Sequence, residues 1–319
     1  MIRNNDITVV VHGPVQKYKD RQHHEEGITK RCLESVREVL PGSVLVLATW
    51  EGQDLSGLGF DSLIEEVDVG PNVDPVCPRN YNRQVYLARK GLEAADTPYA
   101  LKLRSDNFLV SDRFRSVQQR YSSGQRSMPV FSERVVVNSN LSRRTSRGRA
   151  VAYSPSDFFY FGRTQDLRRI WCMPPFEKNR HAEALTVSAH RRSGHPRPEA
   201  EQVYCMLWMC ELVDWATPLR HRFDVSEEQL VRWWEFVASN IVFGEPDAIG
   251  LGLRESSRNK WRVNEFTHRD WLRLYAQFGD RALNVPMSLR DRLLAVDRFF
   301  HLPASRLWAR IRHRREGGS

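Results

Sequence analysis

A chain of 319 residues with 41% hydrophobic and 27% charged residues has ordinary globular usage and enough apolar mass for a sizeable core, which excludes wholesale disorder. Its 48 lysines and arginines outweigh 39 acidic residues for a formal charge of +9, so its favoured partners are anionic: nucleic acid, acidic lipid or a sugar nucleotide. The excess is local, with Arg143, Arg144, Arg147 and Arg149 in one short polar stretch and Arg306, Arg310, Arg312, Arg314 and Arg315 in the tail.

In chain order, Ile7 to Val11 is a β-branched run that ends at His12-Gly13-Pro14, the pattern of a buried strand feeding a loop. The run is too short for a signal-peptide core or a membrane span, and the reading is a cytoplasmic protein. Arg31 to Leu40 reads as a helix stopped by Pro41-Gly42, and Val44 to Ala48 as a second strand opening into Thr49-Trp50-Glu51-Gly52. Strand, helix and strand with short connections predict a parallel βαβ unit. A third strand is expected near Leu63 to Val69, followed by a Pro-rich loop to Pro78. The spacing of Val85, Leu87, Ala88 and Leu92 predicts a helix over 83–95, and Tyr99 to Leu103 a fourth strand that delivers Arg104-Ser105-Asp106.

From Ser111 to Ser156 the pattern weakens, apart from Arg134 to Val137, and Ser142 to Arg149 reads as a mobile basic loop. Asp157 to Phe161 is an aromatic strand ended by Gly162, with a short helix after it. Val203 to Ala216 is a buried helix entered from the polar loop at Arg191 to Pro198. Beyond Phe243 the chain is polar, then amphipathic over 289–300 and 304–314. In the last piece Leu307, Trp308 and Ile311 share a face among arginines, a pattern of helices that lie on anionic membrane. Five cysteines, at 32, 77, 172, 205 and 210, make no CxxC and read as reduced structural thiols.

In an open parallel sheet, ligands bind beyond the carboxyl ends of the strands. The loops at His12 to Val15, including Gly13 and Pro14, at Thr49 to Asp54, at Asp68 to Pro71 and at Arg104 to Asn107 therefore converge on one crevice. Asn82 and Arg83, opening a helix there, suit a diphosphate; alternatively Arg83 is a solvated first-turn arginine capped by Asn82. Asp106 is placed to hold a divalent cation or a sugar hydroxyl. Strand alternation puts Lys102 and Arg104 on its face, either to neutralise phosphate or, for Arg104, to form a structural ion pair with it. Glu51 suits a ribose, and Trp50 and Asp68 a base. A carboxylate that takes the acceptor proton falls to Glu201 or Asp157, although Glu201 also suits a helix dipole. His190, His195 and His268 make no ligand-spaced set.

Together these segments resemble the WavE family of lipopolysaccharide-synthesis proteins, which belongs with GT-A-like glycosyltransferases. The resemblance is carried by Ile7 to Val15, Ala48 to Gly52, Asn80-Tyr81-Asn82-Arg83-Gln84, Leu101-Lys102-Leu103-Arg104-Ser105-Asp106, Ser156 to Gly162 with Asp166-Leu167, and Glu201 to Tyr204. It implies an α/β fold, a GT-A-like (Rossmann-type) sandwich with a mostly parallel central sheet and a helical C-terminal extension. It also implies a nucleotide-sugar donor and a glycan or glycolipid acceptor. Arg104 stands where many such enzymes carry the first acid of a DXD motif, which leaves Asp106 for manganese or magnesium.

The expected organisation is a catalytic domain over 1–243, its donor half about 1–110 and its acceptor half about 111–243, then an extension over 244–319. The basic tail reads either as a solvated helix face or, through Trp308, as a peripheral contact with anionic inner-membrane lipid, and no nucleic-acid module is recognisable. Two alternatives remain open: a sugar nucleotidyltransferase, and a nonenzymatic polysaccharide-assembly or nucleic-acid-binding protein.

Overall fold

Strand β1 (Ile7–His12) is buried along its whole length because helices cover both of its faces, which is why its sequence is a continuous apolar run. In the computed structural model, which describes residues 2–19, 25–71, 80–174, 196–257 and 263–316, β1 is an interior strand of a seven-stranded sheet. It pairs in parallel with β2 (Val44–Trp50), Val9 opposite Leu45, and with β4 (Tyr99–Arg104), Val9 opposite Leu101. Helix α1 (Ile28–Val39) makes the first crossover. Strand β3 (Ser62–Glu66) and helix α2 (Tyr81–Glu93) complete the first half. The third strand stops at Glu66, and Val67 and Val69 beyond it are exposed. The Pro-rich stretch over 72–79, with Cys77, lies outside the described residues.

Helix α2 packs directly on β1 and β2, and one residue makes that approach possible. A Cβ on Gly91 would stand 2.2 Å from Val10 Cγ1 and 3.5 Å from Ala48 Cβ. Gly91→Val is therefore expected to push the helix off the sheet and cost about 1–3 kcal/mol, typical of overpacking. A denaturant midpoint unchanged from wild type would contradict this account.

The rest of the sheet is assembled out of chain order. After β5 (Phe108–Leu109) and α3 (Arg113–Tyr121) come β6 (Val135–Asn138), the short β7 (Thr145–Ser146) and β8 (Arg149–Ala150), then β9 (Phe159–Arg163). Helices α4 (Thr164–Trp171), α5 (Ala200–Leu212) and α6 (Glu227–Asn240) follow, and then β10 (Ile241–Gly244). The strand order is β10-β6-β9-β4-β1-β2-β3, all parallel except β9, which is antiparallel to β4 and β6. Every other carboxyl end thus lies at the same edge as the start of β9. Gly162 sits inside β9 instead of ending it, opposite Ala100.

Three expectations are corrected. Ser142 to Arg149 is not a loose loop: β7 and β8 form a hairpin whose turn has Arg147 and Gly148 at φ 47° and 73°. Two of its arginines are held, Arg143 by Glu199 and Arg144 by Asp270 at 3.0 Å, carboxylates that lie far away in sequence. The chain past 243 first forms a separate two-stranded sheet and a helix on β10 before it extends. After α7 (Pro246–Ile249), β11 (Leu251–Gly252) pairs with β5, and α8 (His268–Phe278) packs on β10, Trp271 donating to the Ile241 carbonyl at 2.6 Å. The two amphipathic segments at the end are one helix, α9 (Leu289–Glu316), with Pro303 inside it. The four described cysteines form no disulfide.

Candidate functional site

At the carboxyl edge of the sheet the loops after β1, β2 and β4 are drawn together by short contacts. Gly13 adopts φ 128°, and a Cβ there would lie 2.7 Å from Ser105 Oγ, so the β1 loop touches the β4 loop where only glycine fits. Ser105 Oγ donates to the Pro14 carbonyl at 2.9 Å, and Val15 N–H donates to Gln53 Oε1 at 2.8 Å. Glu51 is exposed in the turn after β2, its N–H bonded to the Glu66 carbonyl at 2.9 Å.

Beyond β4 a buried charge network forms. Arg104 donates through Nε and Nη2 to the two Asp106 oxygens, at 3.0 and 2.8 Å, and through Nη1 to Asp157 Oδ2 at 2.9 Å. Arg254 Nη1 adds a bond to Asp106 Oδ2 at 2.7 Å, and Asn107 Nδ2 one to Oδ1 at 3.0 Å. Both carboxylates are 3% exposed. Burial alone would raise the Asp106 pKa, but Arg104 and then Arg254 hold it below the usual carboxylate range. Arg104 is moved upward: Asp106 and Asp157 outweigh its own burial.

Lys102 shares this face, as alternation predicts, but lies beneath the crevice. It is fully buried, its Nζ 3.9 Å from the Trp171 ring centroid and donating to the Asp157 carbonyl. Burial lowers its pKa to about 7, Arg104 adding to the effect while Asp157 and Asp106 oppose it. Lys102 therefore bears on the crevice through Asp157 and does not reach a phosphate in this arrangement. His12, in register with Arg104 and 3% exposed, is kept neutral by burial and then by Lys102 and Arg104. Its Nε2 has no hydrogen-bond partner among the described residues.

Helix α2 reaches the network from its first turn. Gln84 Nε2 donates to Asp157 Oδ2 at 3.1 Å, while Arg83 makes a two-bond ion pair with Asp68 at 2.7 and 2.5 Å. The cap position is Asn80, so Asn82 lies inside the first turn. Both Arg83 and Asp68 remain partly exposed, which leaves the guanidinium able to exchange its partner. From the far side Glu201 stands in the first turn of α5, whose capping box joins Glu199 and Gln202. Its pKa is raised to about 7, first by burial and then by the charges of Asp157 and Glu199, against the pull of Arg143. Asp157 is bonded to Arg104 and Gln84, whereas burial and its acidic neighbours leave the Glu201 carboxyl easier to protonate than an ordinary one.

The chemistry of the donor set bears on the metal. Both Asp106 oxygens are engaged by two guanidiniums and an amide, and no group of three or more His, Cys, Asp or Glu that could hold a metal ion occurs among the described residues. A divalent cation would have to displace arginine, so the residues present fit an anion better than a resident metal. His190 and His195 lie outside the described residues, and His268 Nδ1 is 2.8 Å from the Phe243 carbonyl.

Sequence reasoning assigned no role to Arg254, His12 or Gln84. It also missed a cavity of about 530 Å³ beside the network, lined by Ser139 and Asn140 after β6, Glu245 after β10, Ser257, and Arg290 and Leu294 of α9. Asn140 Nδ2 donates to the Ser257 carbonyl at 3.3 Å, and Arg254 Nε donates to Ser257 Oγ at 3.3 Å, so the cavity wall touches the residue that holds Asp106. Asn140 Oδ1 is buried without a partner among the described residues, as suits a wall that takes a hydroxyl donor.

The pattern of the family described as WavE lipopolysaccharide synthesis matches residues 7–296. No curated protein matches the chain.

Proposed function

Because the chain belongs to the WavE lipopolysaccharide-synthesis family, and so has a role in making that glycolipid, we propose that it is a glycosyltransferase using a nucleotide sugar. The observation that carries the reading is the network in which Arg104 links Asp106, also held by Arg254, to Asp157, which takes a bond from Gln84 in the first turn of α2 and lies close enough to raise the Glu201 pKa. A mostly parallel sheet with helices on both faces and its polar cluster at the strand carboxyl edge supports a GT-A-like assignment.

In this reading Arg83 exchanges Asp68 for the donor diphosphate at the helix N-terminus, joined by Arg254. The loops of Gly13 and Pro14, with Glu51 and Asp68, enclose the nucleoside, and Asp106 accepts from a donor sugar hydroxyl in the place that Arg254 leaves as it turns to the diphosphate. The acceptor glycan lies in the 530 Å³ cavity. Its hydroxyl attacks the anomeric carbon, the bond to the diphosphate breaks, and Glu201 takes the hydroxyl proton. A carboxylate acting from the acceptor side implies inversion.

Thermal shift against UDP-, GDP-, CMP- and dTDP-sugars tests the donor assignment. A true donor at a hundred times its Kd adds about 2.7 kcal/mol of stability, with or without manganese. Arg83→Ala and Asp106→Ala are expected to weaken that binding by about tenfold or more, since each removes a charge-assisted contact. No shift with any nucleotide sugar would reject the transferase reading.

A further inference from the structure

Helix α9 has two faces of opposite character. Inward, Leu294 is buried, Arg269 donates to Asp291 at 2.5 Å and Arg298 to Asp270 at 2.8 Å, which holds the helix against α8. Arg290 and Leu294 also line the large cavity. Outward, Leu289, Leu293, Val296, Phe300 and Leu307 recur at helical spacing within a sector of roughly 60°, at about 100° per residue. Each is more than half exposed, and Phe299 and Trp308 widen the stripe, exposed by 72% and 65%. An apolar stripe this long is not a surface that water alone would cover.

The charge beside it selects the occupant. Leu289–Glu316 holds eight arginines against three acidic residues; Arg290 and Arg298 face inward, whereas Arg292 and Arg306 are exposed near the stripe. A second copy packed on this stripe would set one arginine-rich flank against another. An anionic bilayer offers acyl chains to the stripe and phosphates to the arginines. No helix among the described residues is long and apolar enough to cross a membrane, which leaves the interfacial plane. We propose that α9 lies in the headgroup region of a membrane rich in anionic phospholipid, with its apolar stripe facing the acyl chains. The contact begins at Leu289, well ahead of the tail at 304, and brings the cavity that Arg290 and Leu294 line close to the lipid surface. It does not depend on the transferase reading.

The test is flotation of the full chain with vesicles of phosphatidylcholine, alone or mixed with phosphatidylglycerol. The wild-type chain is expected to float with the mixed vesicles only. Leu293→Glu with Phe300→Glu is expected to lower the bound fraction about tenfold while the melting temperature holds, because both side chains already face solvent. Arg292→Glu, a milder variant, is expected to weaken binding and reduce its loss in salt. A wild-type chain left in the aqueous fraction, flotation unchanged by the double variant, or a dimer that the double variant splits into monomers would each overturn the proposal.

Discussion

Replacing Glu201 by glutamine is expected to lower glycosyl transfer by about a hundredfold to ten-thousandfold, the range for losing a general base, while donor binding measured by thermal shift stays at the wild-type level. The same change is expected to make the protein more stable at pH 8. The Glu201 pKa rises from 4.5 to about 7 on folding, so its ionised form is disfavoured in the folded chain. For an acid raised in this way the penalty is absent below about pH 4.5, grows as pH rises to about 7 and is constant above it. Glutamine removes that penalty, so the melting temperatures should coincide in acid and diverge in favour of the variant above neutrality. Wild-type transfer should in turn rise with pH through about 7, as the carboxylate becomes able to accept a proton. Equal activity of wild type and variant would remove Glu201 from catalysis. A lower melting temperature at pH 8 would instead mark it as a structural first-turn acid.

The second large effect falls on stability. Arg104→Leu leaves Asp106 and Asp157, each 3% exposed, without the cation that spans them. Breaking one partner of a buried ionic group costs about 3–5 kcal/mol, so a fall in melting temperature on the order of 10 °C is expected. Adding Asp157→Asn to Arg104→Leu should recover part of the loss, because Arg254 still holds Asp106 whereas Asp157 is left without its ion-pair partner. A double variant that loses the sum of the two single effects would show the pair to be uncoupled.

Much of the first half was legible because its signals are local. The β-branched runs at Ile7 and Val44, the break at Pro41-Gly42 and the helical spacing before Tyr99 place β1, β2, α2 and β4 with little help from the rest of the chain. The face shared by Lys102 and Arg104 followed from strand alternation. Its depth did not: only the packing of Trp171 over Lys102 shows that this ammonium lies below the crevice.

What was not legible depends on distant contacts. Arg254 is one arginine in a polar segment without periodicity, and the pairing of β11 with β5 carries it to Asp106, a residue 148 positions away. The same reason made Arg143 and Arg144 read as part of a mobile basic loop, since Glu199 and Asp270 have no local mark as their partners. The direction of β9 was equally hidden, because Phe159-Tyr160-Phe161 has the same pattern read either way.

That reversed strand sets the order in which the protein can be completed. During synthesis β4 emerges before β6, yet the two are never neighbours: β9, made later than both, is inserted between them and bonds to each. Until residue 163 has left the ribosome, β4 carries an open edge whose inner face is Leu101 and Leu103, a template for pairing with another chain. The insertion that closes the open β4 edge also delivers Asp157 to Arg104, so one event completes both that edge and that ion pair.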